Sequence, residues 1–306
     1  MSLNPFQADL AVPQRLAGYP AARIGDLARA VPHLIHDGIL NAADAAELVQ
    51  RFDLASTSDL MLLLLAQART CARPPISNFE VGAIGLEDPT WNLIFGGNVE
   101  FPGTHLGFTL HAEGFLVTRA FNRGTRITLI AIGEAHPCAH CRQYLSEFAG
   151  SDAMVLIDPL GYRLTLSHLY PWPFDPSYLG ESGAVPGRAQ WPNLKPDAAN
   201  MDSELLAAGR RAHAPYSRCP AAVQLKMTDG GTAQGAAIES VAFNPTIGPL
   251  QAALVDLLAR GYNYADISSA TLGQVVGGNV DYARSSAELL SQIAPNAALN
   301  VQGWTF

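Results

Sequence analysis

The sequence predicts an α/β fold in which a mixed β-sheet flanked by helices is built twice, behind a small helical N-terminal subdomain. Three observations predict it. Residues 1 to about 70 place apolar side chains at helical spacing. From residue 75 onward, strand-like runs alternate with helical ones, as in an α/β layer with some parallel pairing. The stretch from Pro75-Ile76-Ser77 to Glu100 is then echoed, with one residue's difference in spacing, by Pro215-Tyr216-Ser217 to Glu239.

Taken in order, Arg23 to Ile39 sets Leu27, Val31, Leu34 and Ile35 at helical spacing. Asn41 is the expected N-cap of a helix from Ala42 to Phe52. Ser58-Asp59 is the expected cap of the next, Leu60 to Arg69, which is apolar on most faces and so buried. Pro74-Pro75 ends it. Strands follow from Val81 to Leu86 and from Leu93 to Val99, on either side of Asp88-Pro89. A helix is expected from Leu110 to Phe121, stopped at Gly124. Ile127 to Ile132 reads as a buried strand, Cys138 to Phe148 as a helix opened by Pro137, and Met154 to Ile157 as another strand. The Pro- and Gly-rich stretch after Tyr170 reads as a linker. The second copy repeats the strand pair, from Ala222 to Thr228 and from Thr232 to Ile238, and a helix from Leu250 to Leu258 stopped by Gly261. The expected division is 1–55 helical subdomain, 56–170 catalytic domain, 171–200 linker and 201–306 a degenerate second copy.

Composition narrows the function. Of 306 residues, 48% are hydrophobic and only 15% charged, which suits large buried cores and argues against disorder. The net charge of −8 argues against binding nucleic acid or an anionic membrane surface, since phosphate neutralisation needs Lys and Arg in excess. The most apolar run, Leu60 to Ala66, is too short to cross a bilayer. The first ten residues lack a basic region followed by an apolar core, so no secretory signal is expected. The four cysteines are Cys71, Cys138, Cys141 and Cys219, too sparse for a disulfide framework, so a reducing, cytoplasmic location is expected. Cys71 and Cys219 read as ordinary small buried residues.

Two stretches carry the chemistry: His111-Ala112-Glu113 and Pro137-Cys138-Ala139-His140-Cys141. One imidazole and two thiolates give three protein ligands, one short of tetrahedral zinc, and leave a position for water. His111 and the cysteines each stand at the start of a helix, whose positive end favours thiolate. Two thiolates nominally cancel the zinc charge; helix ends and Arg142 are expected to restore part of it. Glu113 is then the expected proton shuttle: it takes a proton from zinc-bound water and passes it to a ring nitrogen while hydroxide attacks the amine-bearing carbon. A structural zinc site would need a fourth protein ligand, for which His136 and His140 are the candidates.

H-x-E followed by P-C-x-x-C is the established signature of zinc-dependent deaminases. With Ile76-Ser77-Asn78-Phe79, Val81-Gly82-Ala83, Asn98-Val99-Glu100-Phe101, Arg142-Gln143 and Ala242-Phe243-Asn244-Pro245-Thr246, the chain from about residue 50 onward resembles cytidine deaminases of the larger homodimeric, duplicated-domain bacterial type. That resemblance implies the three-layer cytidine-deaminase-like fold, one Zn2+ per chain held by His111, Cys138 and Cys141, a homodimer, and a place in pyrimidine salvage. It implies that Asn98 and Glu100 bind the ribose 3′-hydroxyl, and that Phe79 packs on the pyrimidine. The backbone N–H of Ala112 and C=O of His136 would read the base edge. Phe174 would lie over the substrate, and Phe243 would reach a neighbouring subunit's site. On pattern alone, Asn98 and Glu100 also suit strand-end pairing, and Phe79 and Phe243 also suit a core. Ala135 stands where the family often has an aromatic.

The expected reaction is hydrolytic deamination of cytidine and deoxycytidine to uridine and deoxyuridine, with attack at C4 and release of ammonia. The alternatives are a zinc deaminase of another aminated base, nucleoside or nucleotide, or a non-enzymatic structural-zinc module. A nucleotide substrate would need a phosphate site, and the sequence has no Gly-rich phosphate loop. A polynucleotide substrate would need a basic groove, against the charge of −8.

Overall fold

The computed structural model describes residues 9–133, 136–150, 153–158, 161–197 and 199–306; Ala135 lies outside them. The chain divides into two compact units, 1–99 with 110–120 and 125–173, and 100–109 with 121–124 and 174–306.

The first unit begins with helices α1 (Ala11–Ala17) and α2 (Ala21–Ala30). The helical spacing past Ala30 continues only as a 3-10 turn over Val31–His33, because Pro32 cannot donate a helical hydrogen bond. Asp37 and Gly38 then take positive φ and turn the chain into β1 (Ile39–Leu40). Asn41 caps α3 (Ala42–Arg51) by accepting from the Asp44 N–H, as expected. The next cap is Ser56 rather than Ser58: its Oγ accepts from the Asp59 N–H and starts α4 (Thr57–Leu63) one turn early. Asp59 is fully buried and takes both arms of Arg15, at 2.7 Å each, and the Tyr19 hydroxyl, so it ties α1 to α4. The chain breaks at Leu64 before α5 (Leu65–Arg69).

A six-stranded mixed sheet follows, in the order β1-β3-β2-β4-β5-β6, with β2 (Gly82–Asp88), β3 (Leu93–Gly97), β4 (Arg126–Gly133), β5 (Met154–Asp158) and β6 (Tyr162–Thr165). Only β4 and β5 run parallel. Helices α6 (Ala112–Arg123) and α7 (Ala139–Phe148) come between strands, and α8 (Leu166–Leu169) follows β6. The α6 helix starts two residues later than expected because Leu110 is held in a β-bridge to Val99. Glycines let the layers close. A Cβ at Gly82 would lie 2.6 Å from the Arg69 backbone nitrogen, and one at Gly96 would lie 2.7 Å from the Phe115 ring. Thus α5 covers one face of the sheet and α6 the other, with Leu27, Leu48, Leu60, Met61, Ile84 and Phe95 in one core.

The second unit repeats the arrangement. Its sheet has the order β7-β11-β10-β8-β9, made from β7 (Lys195–Pro196), β8 (Ala222–Met227), β9 (Thr232–Ala236), β10 (Ile267–Val275) and β11 (Ala298–Thr305). The antiparallel β9-β8-β10 followed by parallel β10-β11 repeats β3-β2-β4 followed by β4-β5. Its helices are α9 (Ser203–Arg211), α10 (Pro249–Ala259) and α11 (Ala283–Ile293). Trp304 is fully buried, packs on Gly273, and donates its Nε1 to the Pro220 carbonyl. Every residue of α10 is buried. No helix among the described residues is long and apolar enough to cross a membrane.

The bridges give a residue-by-residue register between the copies. Arg73–Val99–Leu110 in the first unit correspond to His213–Ile238–Ile247 in the second. His111, Ala112 and Glu113 therefore answer to Gly248, Pro249 and Leu250. The residue before α7 is Cys138; the residue before α11 is Tyr282.

Candidate metal centre and substrate site

The candidate centre lies in the first unit, where α6 and α7 begin. His111 immediately precedes α6, and its carbonyl accepts the Phe115 N–H. Cys138 is the N-cap of α7, its Sγ accepting from the Cys141 N–H at 3.4 Å. A loop and two helix starts thus bring together residues 27 and 30 positions apart.

His111 Nδ1 stands 3.5 Å from each sulfur, and the three ligand atoms lie within 4.8 Å of one another. Tetrahedral zinc, with bonds of roughly 2.05 Å to nitrogen and 2.3 Å to sulfur, would separate N from S by about 3.6 Å. The donor set and its spacing fit the ion. Among the described residues no other His, Cys, Asp or Glu joins the group. His136 and His140 are both exposed and outside it.

The electrostatics agree with a metal ligand set. The hydrogen bond from the Cys141 thiol pulls Cys138 down to about 3; burial opposes this, and the His111 ring and the Cys141 backbone N–H add to it. The same bond, with burial, pushes Cys141 well above the usual thiol value. A divalent cation held between the two sulfurs would favour both as thiolates. Glu113 is 3% exposed. Burial pushes its carboxyl up, opposed by its own backbone N–H and the His111 ring, and it lies within hydrogen-bonding reach of the Cys141 thiol. A carboxyl whose pKa is raised by burial holds a proton more readily than an exposed one.

The Arg142 guanidinium, next to Cys141 in sequence, is held by backbone carbonyls. Its Nε donates to the Pro137 carbonyl at 2.7 Å and its Nη1 to the Leu169 carbonyl at 2.9 Å. One acceptor precedes α7 and the other ends α8, and neither carbonyl is visible as a residue type in the sequence. Behind the guanidinium, the Tyr170 hydroxyl donates to Gln143, whose amide donates to Glu147.

Of the other expected residues, Phe79 is 51% exposed and follows a left-handed Asn78, so it is not a core aromatic. Asn98 is buried and brackets the Phe79 segment, donating Nδ2 to the Phe79 carbonyl at 2.8 Å and accepting the Val81 N–H at 2.9 Å. One amide hydrogen and one acceptor lone pair remain on that side chain. Ala112, fully buried, is the first residue of α6, where the N–H has no partner within the helix. The His136 ring lies 6.1 Å from that of Tyr162. Glu100, Phe174 and Phe243 belong to the second unit. Glu100 is buried there; Phe174 stacks on Tyr178 with centroids 5.4 Å apart; Phe243, at φ 61°, is largely exposed.

The chain resembles one protein family and several known proteins. Two segments match the cytidine and deoxycytidylate deaminase zinc-binding region, residues 55–157 and residues 181–286. The second match contains neither an H-x-E nor a C-x-x-C. A cytidine deaminase of Vibrio atlanticus is 32% identical, over 85% of this chain and 88% of that protein. One from Cronobacter sakazakii is 33% identical over 94% of each. Cytidine deaminase 6 of Arabidopsis thaliana is 34% identical over 78% of this chain and 89% of that protein. The crystal structure of a Mycobacterium leprae cytidine deaminase is 28% identical and covers 38% of this chain and 99% of that one, with a TM-score of 0.34.

Proposed function

The chain belongs to the cytidine deaminase family, and on that premise we propose that it is a zinc-dependent hydrolase that deaminates cytidine and deoxycytidine to the corresponding uridines. The observation that carries the reading is the 3.5 Å separation of His111 Nδ1 from both sulfurs, with Glu113 buried beside them. When bound, zinc lowers the pKa of a coordinated water and supplies the nucleophile.

The chain's own residues do the rest. Glu113 takes up a proton and delivers it to the pyrimidine ring nitrogen, then serves the departing amine. Its burial supports this, since a carboxyl of raised pKa works in both directions. Phe79 packs on the pyrimidine, for which its exposed ring is suited. The Ala112 N–H and the His136 carbonyl read the base edge. Asn98 and Glu100 hold the ribose 3′-hydroxyl, which donates to a carboxylate and accepts from an amide. Phe174 closes over the substrate, and Phe243 reaches the site of a second copy of the chain in a homodimer; its exposure at a left-handed turn supports such a contact.

Residues 1–55 form the helical subdomain, 56–170 the catalytic domain, 171–200 the connection and 201–306 the copy without chemistry. The replacement of His111 and Glu113 by Gly248 and Leu250 supports that last assignment. The enzyme acts in the cytoplasm, in pyrimidine salvage.

The test follows ultraviolet absorbance of zinc-loaded protein with cytidine, deoxycytidine, adenosine and cytidine monophosphate. Conversion of the first two alone is the expected result. Turnover of adenosine or the nucleotide at comparable kcat/KM would refute the nucleoside assignment.

A further inference from the structure

We propose that Arg142 is a positioning residue, which locks the metal-binding turn through the fork of its guanidinium rather than through its charge. The inference rests on the zinc reading of His111, Cys138 and Cys141.

Cys138 is flanked by two peptide planes, one carrying the Pro137 carbonyl and one its own. Each plane is rigid, so the backbone at Cys138 is fixed once both are oriented. Arg142 orients both. Its backbone N–H takes the Cys138 carbonyl at 2.9 Å, the first helical bond of α7. Its side-chain Nε takes the Pro137 carbonyl at 2.7 Å, a group outside the helix that no helical N–H can reach. Only the side-chain torsion of Cys138 is then left to place its sulfur. A third bond, from Nη1 to the Leu169 carbonyl at 2.9 Å, anchors the guanidinium on the C-terminal end of α8. The Tyr170–Gln143 bond holds the same segment against α7 one residue further on.

The second copy supplies an independent comparison. Ser286 occupies the fourth position of α11, as Arg142 does in α7. It keeps the backbone bond, to the Tyr282 carbonyl at 2.9 Å, but has no guanidinium. The copy without metal ligands also lacks the residue that would hold them.

Charge and geometry are separated by Arg142→Lys. Lysine keeps the positive charge but offers no Nε–H and no planar fork. Zinc-loaded wild type, Arg142→Lys and Arg142→Ala are mixed with excess chromogenic chelator, and zinc release is followed. Cobalt-substituted forms report the sulfur-to-metal absorption bands, and melting of the metal-free forms reports the fold. Both variants are expected to release zinc about 10- to 100-fold faster, as loss of a group supporting a ligand commonly does. Altered cobalt bands are expected alongside an unchanged metal-free melting temperature. Native release rates in Arg142→Lys would overturn the proposal, with or without a defect in Arg142→Ala. Should Arg142→Ala fail to fold, Arg142→Lys decides alone. A wild type that takes up no zinc would overturn the zinc reading itself, and this proposal with it.

Discussion

Replacing Glu113 by Gln isolates the proton chemistry. The carboxyl is 3% exposed and is not one of the three grouped ligands, and the amide keeps its volume and its reach to the Cys141 thiol. What it loses is the ability to accept and return a proton. Each proton transfer by a placed side chain contributes about 10²- to 10⁴-fold, and Glu113 is assigned one transfer to the ring and one to the leaving amine. The expected loss in kcat is therefore at least about 10⁴-fold, equivalent to about 5.5 kcal/mol of transition-state stabilisation. Binding contacts to the base and sugar remain, so KM should change by less than about tenfold. Because burial pushes the native carboxyl up, a neutral amide there is tolerated, and the melting temperature should hold or rise. The assay is initial-rate absorbance with cytidine, alongside zinc content measured by atomic absorption. Turnover within tenfold of wild type at full zinc occupancy would refute the shuttle. Loss of zinc would refute the separation of Glu113 from the ligand set.

Other expectations follow from the same geometry. Metal analysis should give about one zinc per chain, and Cys141→Ser should abolish it; two ions per chain would contradict the loss of ligands in the second copy. Glu100→Gln should impair cytidine far more than its 3′-deoxy analogue in kcat/KM, whereas equal losses would remove the sugar role. His213 is buried and its pKa is lowered to about 4 by that burial, so the folded state resists its protonation. Stability should therefore be level above about pH 7 and fall by about 3 kcal/mol as pH drops from about 6.5 toward 4. Urea unfolding across that range should show the slope, and His213→Gln should remove most of it. An unchanged slope in that variant would show that other groups carry it.

Periodicity and spacing located much of this, and where they fell short the reason is physical. The metal ligands were legible because the chemistry needs fixed residue types at helix starts. The strand pairs of both copies were legible because short runs of apolar and small residues bounded by turn residues suit strands. Cap identity was less so: Ser56 and Ser58 differ only in which backbone N–H each can reach, and the fold chose the one that aims Asp59 at Arg15. The β10 and β11 strands went unread because their faces mix small, polar and apolar side chains, and most of β11 is exposed or half-buried. The partners of Arg142 are backbone carbonyls, and a carbonyl has no letter in a sequence. The role of Asn98 in bracketing Phe79 was hidden for the same reason.

The register between the copies has a consequence for descent. At the place of Ala112, whose N–H has no partner within α6, the second copy has Pro249, which has no N–H to offer. At the place of Glu113 it has Leu250, 2% exposed, within a helix buried along its whole length. A reverting mutation at either position would arrive alone. A carboxylate at 250 would be sealed among apolar side chains with no metal to justify it, and would destabilise the unit before any activity returned. In the second unit both positions serve packing, and a single substitution toward a carboxylate there costs stability without supplying a ligand set.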